Sequence, residues 1–127
     1  KDNTARLIKA AENPHVNMLG HLSGRLLLER APQKLNQQAV IDACAETGTW
    51  IELNANPYRL DLDWRHWQYA KSKGVKCVIN CDAHRVEHAA FFRIGTAIAR
   101  KGWLSKEDVI NTLPLAKLRK ELKKKRA

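Results

Sequence analysis

The stretch that decides the fold is residues 49–54 (TWIELN), residues 63–73 (DWRHWQYAKSK) closed by Gly74, and residues 75–80 (VKCVIN). Two short runs rich in β-branched and apolar residues flank a segment of helical spacing, with Asp61 or Asp63 placed to cap its start. Strand, helix and strand in ~30 residues make a βαβ unit, which joins parallel strands. Upstream, residues 4–12 (TARLIKAAE) read as a helix that stops at Asn13-Pro14, because proline disfavours helix in the residue before it. Residues 16–21 (VNMLGH) read as a strand ending at His21, and residues 36–47 (NQQAVIDACAET) as a helix with Gly48 as its C-cap. Downstream, helical patterns cover 86–100, 105–111 and 114–126. Ser105 and Asp108 fit a capping signal, and Pro114 suits a first helical turn.

Three strands alternating with helices are too few for a closed barrel, which commonly uses about eight. The expectation is therefore α/β: a single partial domain over residues 1–127, the C-terminal half of a larger (β/α) barrel, with a basic C-terminal helix at 114–127. With 44% hydrophobic and 28% charged residues, wholesale disorder and collagen-like repeats are excluded. No apolar run reaches the ~18 residues of a membrane span, so no membrane partner is expected. Three cysteines, Cys44, Cys77 and Cys81, suggest no disulfide framework, which points to a reduced, cytoplasmic protein. The chain begins at Lys1 without methionine, which suggests a piece of something longer.

The net charge is +10, and the last eleven residues supply +6 of it, with seven cations against Glu121. Such a tail reads either as a phosphate-binding arm or as a solvated helix end whose late cations suit the macrodipole.

In parallel α/β folds the site lies at the C-terminal ends of the strands. Those ends read GHLSGR (20–25), ELNANPYR (52–59) and NCDAH (80–84). Asp82 and His84 stand two apart, so in extended backbone they project to one side. One carboxylate beside one imidazole suits Zn, Mn or Fe(II) better than Ca or Mg. His21, at a second strand end, is the third candidate ligand, against the alternative of an N-cap aspartate with a surface histidine. Arg25 and Arg59 offer planar forks to phosphate oxygens, and Asn54 and Asn56 either orient a ligand or shape the turn before Pro57. Arg59 equally suits Asp61 or Asp63 as a partner. Glu52, inside a strand, reads as half of a structural ion pair. Trp50, Trp64, Trp67 and Trp103 read as core or helix-packing residues, with Trp64 or Trp67 as an alternative stacking surface for bases. His15, His66 and His88 have no partner at ligand spacing and read as surface groups; the cysteines read as structural.

Four motifs in order, GHLSGRLL (20–27), ELNANPYRLDL (52–62), NCDAH (80–84) and RKGWL (100–104), resemble the PHP (polymerase and histidinol phosphatase) domain of bacterial family X DNA polymerases. The resemblance implies a distorted (β/α)7 barrel with a trinuclear metal cluster, of which this chain would be the C-terminal part. It further implies a metal-dependent DNA phosphoesterase of the 3′–5′ exonuclease type working in DNA repair. On it, His21, Asp82 and His84 are ligands of divalent metal ions, Mn or Zn ahead of Mg or Fe. The Arg25 loop and the Asn54–Arg59 loop, with Asn56, line the substrate cleft. The implied partners are DNA, the upstream half of the same domain and a polymerase core. Leu22 stands where the family usually has proline and Cys81 where it has threonine, both beside ligands rather than at them. The family's H-x-H motif, acidic ligand and further histidines lie upstream of the segment matched here. A histidinol-phosphatase-like small-molecule phosphoesterase and a non-catalytic nucleic-acid-binding module are the competing functions.

Overall fold

A computed structural model describes residues 1–126. Three parallel strands, β1 (Met18–Leu19), β2 (Trp50–Asn54) and β3 (Cys77–Asn80), form one sheet in the order β1-β2-β3. Helices alternate with them: α1 (Thr4–Glu12), α2 (Gln37–Thr47), α3 (Trp64–Ser72), α4 (Phe92–Lys101) and α5 (Leu115–Lys124). The α/β expectation holds, and three parallel strands with crossover helices are consistent with part of a barrel.

Local chemistry explains the helix limits. Asn36 accepts the Ala39 backbone N–H at the start of α2, and Gly48, at φ 68°, closes it in the left-handed conformation that glycine adopts without a Cβ penalty. Asp63, not Asp61, caps α3 by accepting the Arg65 N–H. The Ser105–Asp108 capping box forms, with Asp108 Oδ2 accepting both the Ser105 N–H (2.8 Å) and its hydroxyl (2.9 Å).

Other elements differ from the sequence pattern. β1 is two residues rather than six and stops before Gly20, because the chain turns at His21 with φ 26°. Residues 86–91 are a 3₁₀ helix ahead of α4, and the 105–111 segment is two 3₁₀ turns, Lys106–Asp108 and Ile110–Thr112. The second segment is diverted by Asn111. Its side chain accepts the Ile79 N–H (2.8 Å) and donates to the Ile79 carbonyl (2.8 Å), closing the outer edge of β3 as a strand would.

The core lies between the sheet and its helices. Val40, Ile41, Ile51, Leu53, Leu62 and Trp67 are fully buried within it. At ~25 cal/mol per Å² of apolar surface, each large side chain contributes roughly 1.5–3 kcal/mol. Trp67 donates its indole N–H to the Leu62 carbonyl at 3.3 Å, so no polar group is orphaned there and no face remains for stacking bases. Trp50 is buried as well. Trp103 corrects the packing expectation: it is 72% exposed, in a left-handed backbone (φ 67°), with Lys71 Nζ on its carbonyl (3.0 Å). Trp64 is partly exposed, with the Lys101 ammonium 4.7 Å from its ring centroid.

Cys44 and Cys77 are buried, and burial pushes both thiols up, Cys44 to about 12. That protonated, inert state fits a structural role for these two. Among the described residues, no helix is long and apolar enough to cross a membrane.

Candidate metal and phosphate site at the strand ends

The parallel register brings the polar motifs to one edge. Asn54 and Asn80 are partners at the C-terminal ends of β2 and β3, and the chain leaves β1 through Gly20 and His21 beside them. Glu52 lies beneath this edge and is 7% exposed. No cation pairs with it among the described residues, which overturns the ion-pair expectation. Its carboxylate instead accepts the His21 backbone N–H (2.6 Å), Asn80 Nδ2 (3.0 Å) and, weakly, Asn54 Nδ2 (3.4 Å). Asn54 Nδ2 also donates to Asp82 Oδ2 at 3.0 Å, and Asn54 Oδ1 accepts the Asn56 N–H at 3.0 Å. Asn54 therefore both shapes its loop and touches the acidic group.

His21 (φ 26°) and Asp82 (φ 50°) both sit in left-handed backbone, where a side chain costs roughly 1–2 kcal/mol. Strain of this kind persists only where the surroundings impose it, and it clusters at functional sites. His84 Nδ1 lies 2.7 Å from the Asp82 carbonyl oxygen. A carbonyl only accepts, so Nδ1 carries a proton, and in the neutral imidazole the lone pair is then on Nε2. That orientation is the one a metal-ligating imidazole ordinarily takes.

By residue chemistry, two imidazoles and a carboxylate are donors that suit a divalent metal, although the Asp82 carboxylate is here held by Arg59 and Asn54. Among the described residues, no three His, Cys, Asp or Glu side chains close around one point.

The loops above the edge are stapled together. Arg25 Nε donates to the Arg59 carbonyl (2.8 Å), Nη2 to the Leu60 carbonyl, and Nη1 pairs with Asp63 (2.8 Å). Its guanidinium is thereby committed to the 56–60 loop. Arg65 and Arg25 hold the Asp63 carboxyl well below the usual carboxylate range. Arg59 pairs with Asp82 (3.2 Å), not with Asp61 or Asp63. Asp61 is fully buried and accepts the Ser23 N–H and hydroxyl and the Gly24 N–H, tying the 20–25 loop to the 54–62 loop. A cavity of about 270 Å³ opens here between Asn56, Tyr58, Arg59, Asp82 and His84.

Two participants escaped the sequence reading. His88 Nδ1 accepts the His84 backbone N–H at 3.1 Å and its ring stacks on Phe91 at 4.8 Å, so it is half-buried and braces the His84 turn. The four-residue spacing from His84 was the available signal. Tyr58 lines the cavity and is 63% exposed, with no sequence signal beyond its loop.

Comparison with known proteins follows the same motifs. The chain is 40% identical over 119 residues to the DNA polymerase/3′-5′ exonuclease PolX of Bacillus subtilis, a match covering 94% of this chain and 21% of that protein. It is 25% identical over 130 residues to proteins named "Probable phosphatase" in Thermoanaerobacter sp. and in Thermoanaerobacter pseudethanolicus, covering 98% of this chain and 50% of each. No family model matches the chain. The chain thus spans about a fifth of the polymerase and half of the phosphatases. Along nearly its whole length the chain is thus similar to one part of a bacterial DNA polymerase/3′-5′ exonuclease, in line with the resemblance of its four motifs.

Proposed function

We propose that this chain supplies one side of a metal-dependent phosphoesterase site that hydrolyses DNA phosphodiesters in the 3′–5′ exonuclease manner, in DNA repair. The observation that carries the reading is the strand-end cluster itself: His21 and Asp82 in left-handed backbone, and His84 fixed with Nε2 free, at one sheet edge. His21, Asp82 and His84 would hold a divalent metal, Mn or Zn. What such an ion supplies when bound is a water of lowered pKa and polarisation of a phosphoryl oxygen. Arg59, on the cavity wall, neutralises a substrate phosphate, and Asn56 shapes that wall by accepting the Tyr58 N–H (3.0 Å). Arg25 serves indirectly, by holding the Arg59 loop in place. Asn54 keeps the Asp82 carboxylate oriented. The remaining ligands come from an upstream half of the same domain, beside a polymerase core.

The test is cleavage of a 5′-labelled single-stranded oligonucleotide in Mn²⁺ by the full-length protein that carries this chain. Asp82→Ala should lower the rate at least a hundredfold with the fold retained; an unchanged rate removes the reading. The 127-residue chain alone should hydrolyse no DNA, because cooperating metals need more ligands than it offers. Resemblance to phosphatases supports a second reading, a small-molecule phosphomonoesterase. Turnover of p-nitrophenyl phosphate but not of the oligonucleotide would favour it.

A further inference from the structure

Glu52 has no place in the site as proposed, yet it is the most unusual group near it. It is a nearly buried carboxylate with no cation, surrounded only by neutral donors. Burying a charge is costly, and three neutral hydrogen bonds offset that cost only if all are made. Each of those donors belongs to a different strand end. The His21 N–H follows β1, Asn54 Nδ2 ends β2 and Asn80 Nδ2 ends β3. Asn54 passes the connection to Asp82 through the same amide nitrogen.

We propose that Glu52 is a positioning residue for the candidate metal site. Its carboxylate imposes the left-handed turn that presents the His21 imidazole, and so sets His21 relative to Asp82 and His84. A core-filling role does not explain why an acceptor is needed at all three ends. The inference rests on the metal reading above and adds a residue that does not itself bind the ion.

The requirement is for acceptors. Glu52→Gln would not remove them, because its amide oxygen can stand at Oε2 for His21 and Asn54 while Asn80 turns over to accept from its NH₂. Glu52→Met leaves all three donors without an acceptor. The experiment adds Mn²⁺ to the full-length protein that carries this chain, with its histidines isotope-labelled, and follows paramagnetic broadening of the histidine ring signals. In the parent chain, His21 and His84 should broaden together, while exposed His15 is spared. In Glu52→Met, His84 should broaden at the same Mn²⁺ concentration and His21 only at roughly tenfold more, with the amide spectrum otherwise native. Joint broadening in the variant overturns the positioning role and leaves the metal reading standing. If neither ring broadens in the parent, the metal reading falls and the inference falls with it. Should Glu52→Met not fold, Asn80→Ala takes its place, with about a threefold separation expected and none overturning the inference.

Discussion

The two ends of the sheet solve the same electrostatic problem with opposite charges. At the C-terminal end, Glu52 and Asp61 are buried carboxylates held by backbone N–H groups, amides and a hydroxyl, with no cation paired to either among the described residues. At the N-terminal end, Lys125 reaches in from the turn after α5 and donates to the Ala11 carbonyl (2.6 Å), the Val16 carbonyl (2.9 Å) and Thr49 Oγ1 (2.7 Å). No carboxylate pairs with it among the described residues, and burial lowers its pKa. Neutral dipoles can thus carry either sign of charge. The purposes differ. The acceptors at the upper end shape loops around a cavity, whereas the lysine at the lower end pins the final helix across the sheet. The basic tail is accordingly not a wholly free arm.

The strongest way to break this comparison is Asp61→Ala. It leaves the Ser23 and Gly24 donors without an acceptor in a fully buried place, so a loss of ~3 kcal/mol is expected in urea unfolding. A loss below 1 kcal/mol would show that water replaces the carboxylate and that the upper end is not dry. Lys125→Met should cost about 2 kcal/mol, because the Val16 carbonyl and the Thr49 hydroxyl oxygen lose the lysine donor and the Ala11 carbonyl keeps only the Thr49 hydroxyl. A neutral result would mean that the lysine only rests at the surface.

The ends should also answer pH on opposite limbs of a stability profile, each gaining stability as pH rises. Asp63 has a lowered folded pKa, so its stabilisation is present above its ordinary value of 3.8 and is lost as pH falls through the folded value. Acid should therefore loosen the Arg25 staple and the α3 cap, by roughly 1 kcal/mol, and Asp63→Asn should flatten the acid limb of a stability profile. Lys125 also has a lowered pKa, but as a base its burial cost is present at neutral pH. That cost is relieved as pH rises through the folded value toward 10.5. Lys125→Met should remove this alkaline gain. The smallest effect belongs to Lys120 and Lys123, exposed on α5. Alanine there should change stability by less than ~0.5 kcal/mol while weakening salt-sensitive DNA binding. A larger stability loss would extend the docked surface beyond Lys125.

Legibility in the sequence followed the range of the interactions. The βαβ unit, the cap at Gly48 and the choice of Asp61 or Asp63 as the α3 cap rest on contacts within a few residues, so spacing revealed them. Asn36 caps α2, where the spacing reads it as part of the helix. The 105–111 segment misled because Asn111 bonds to Ile79, 32 residues away. Trp103 misled because hydrophobicity says nothing of the left-handed turn that turns it outward. At the site, residue type and strand-end position identified His21, Asp82 and His84 as candidates. Their common edge needed the register of three strands.

By itself, then, the sequence determined the strand–helix alternation, the polar strand ends and the family resemblance, since each is written in neighbouring residues. Only the tertiary structure decided the partners of the charges: Arg59 with Asp82, Arg25 with Asp63, Glu52 with three strand ends, and Lys125 with the opposite end. The reason is that a charged side chain has many chemically equivalent partners along a chain. Which one it meets depends on which loops the packed sheet brings within about 3 Å.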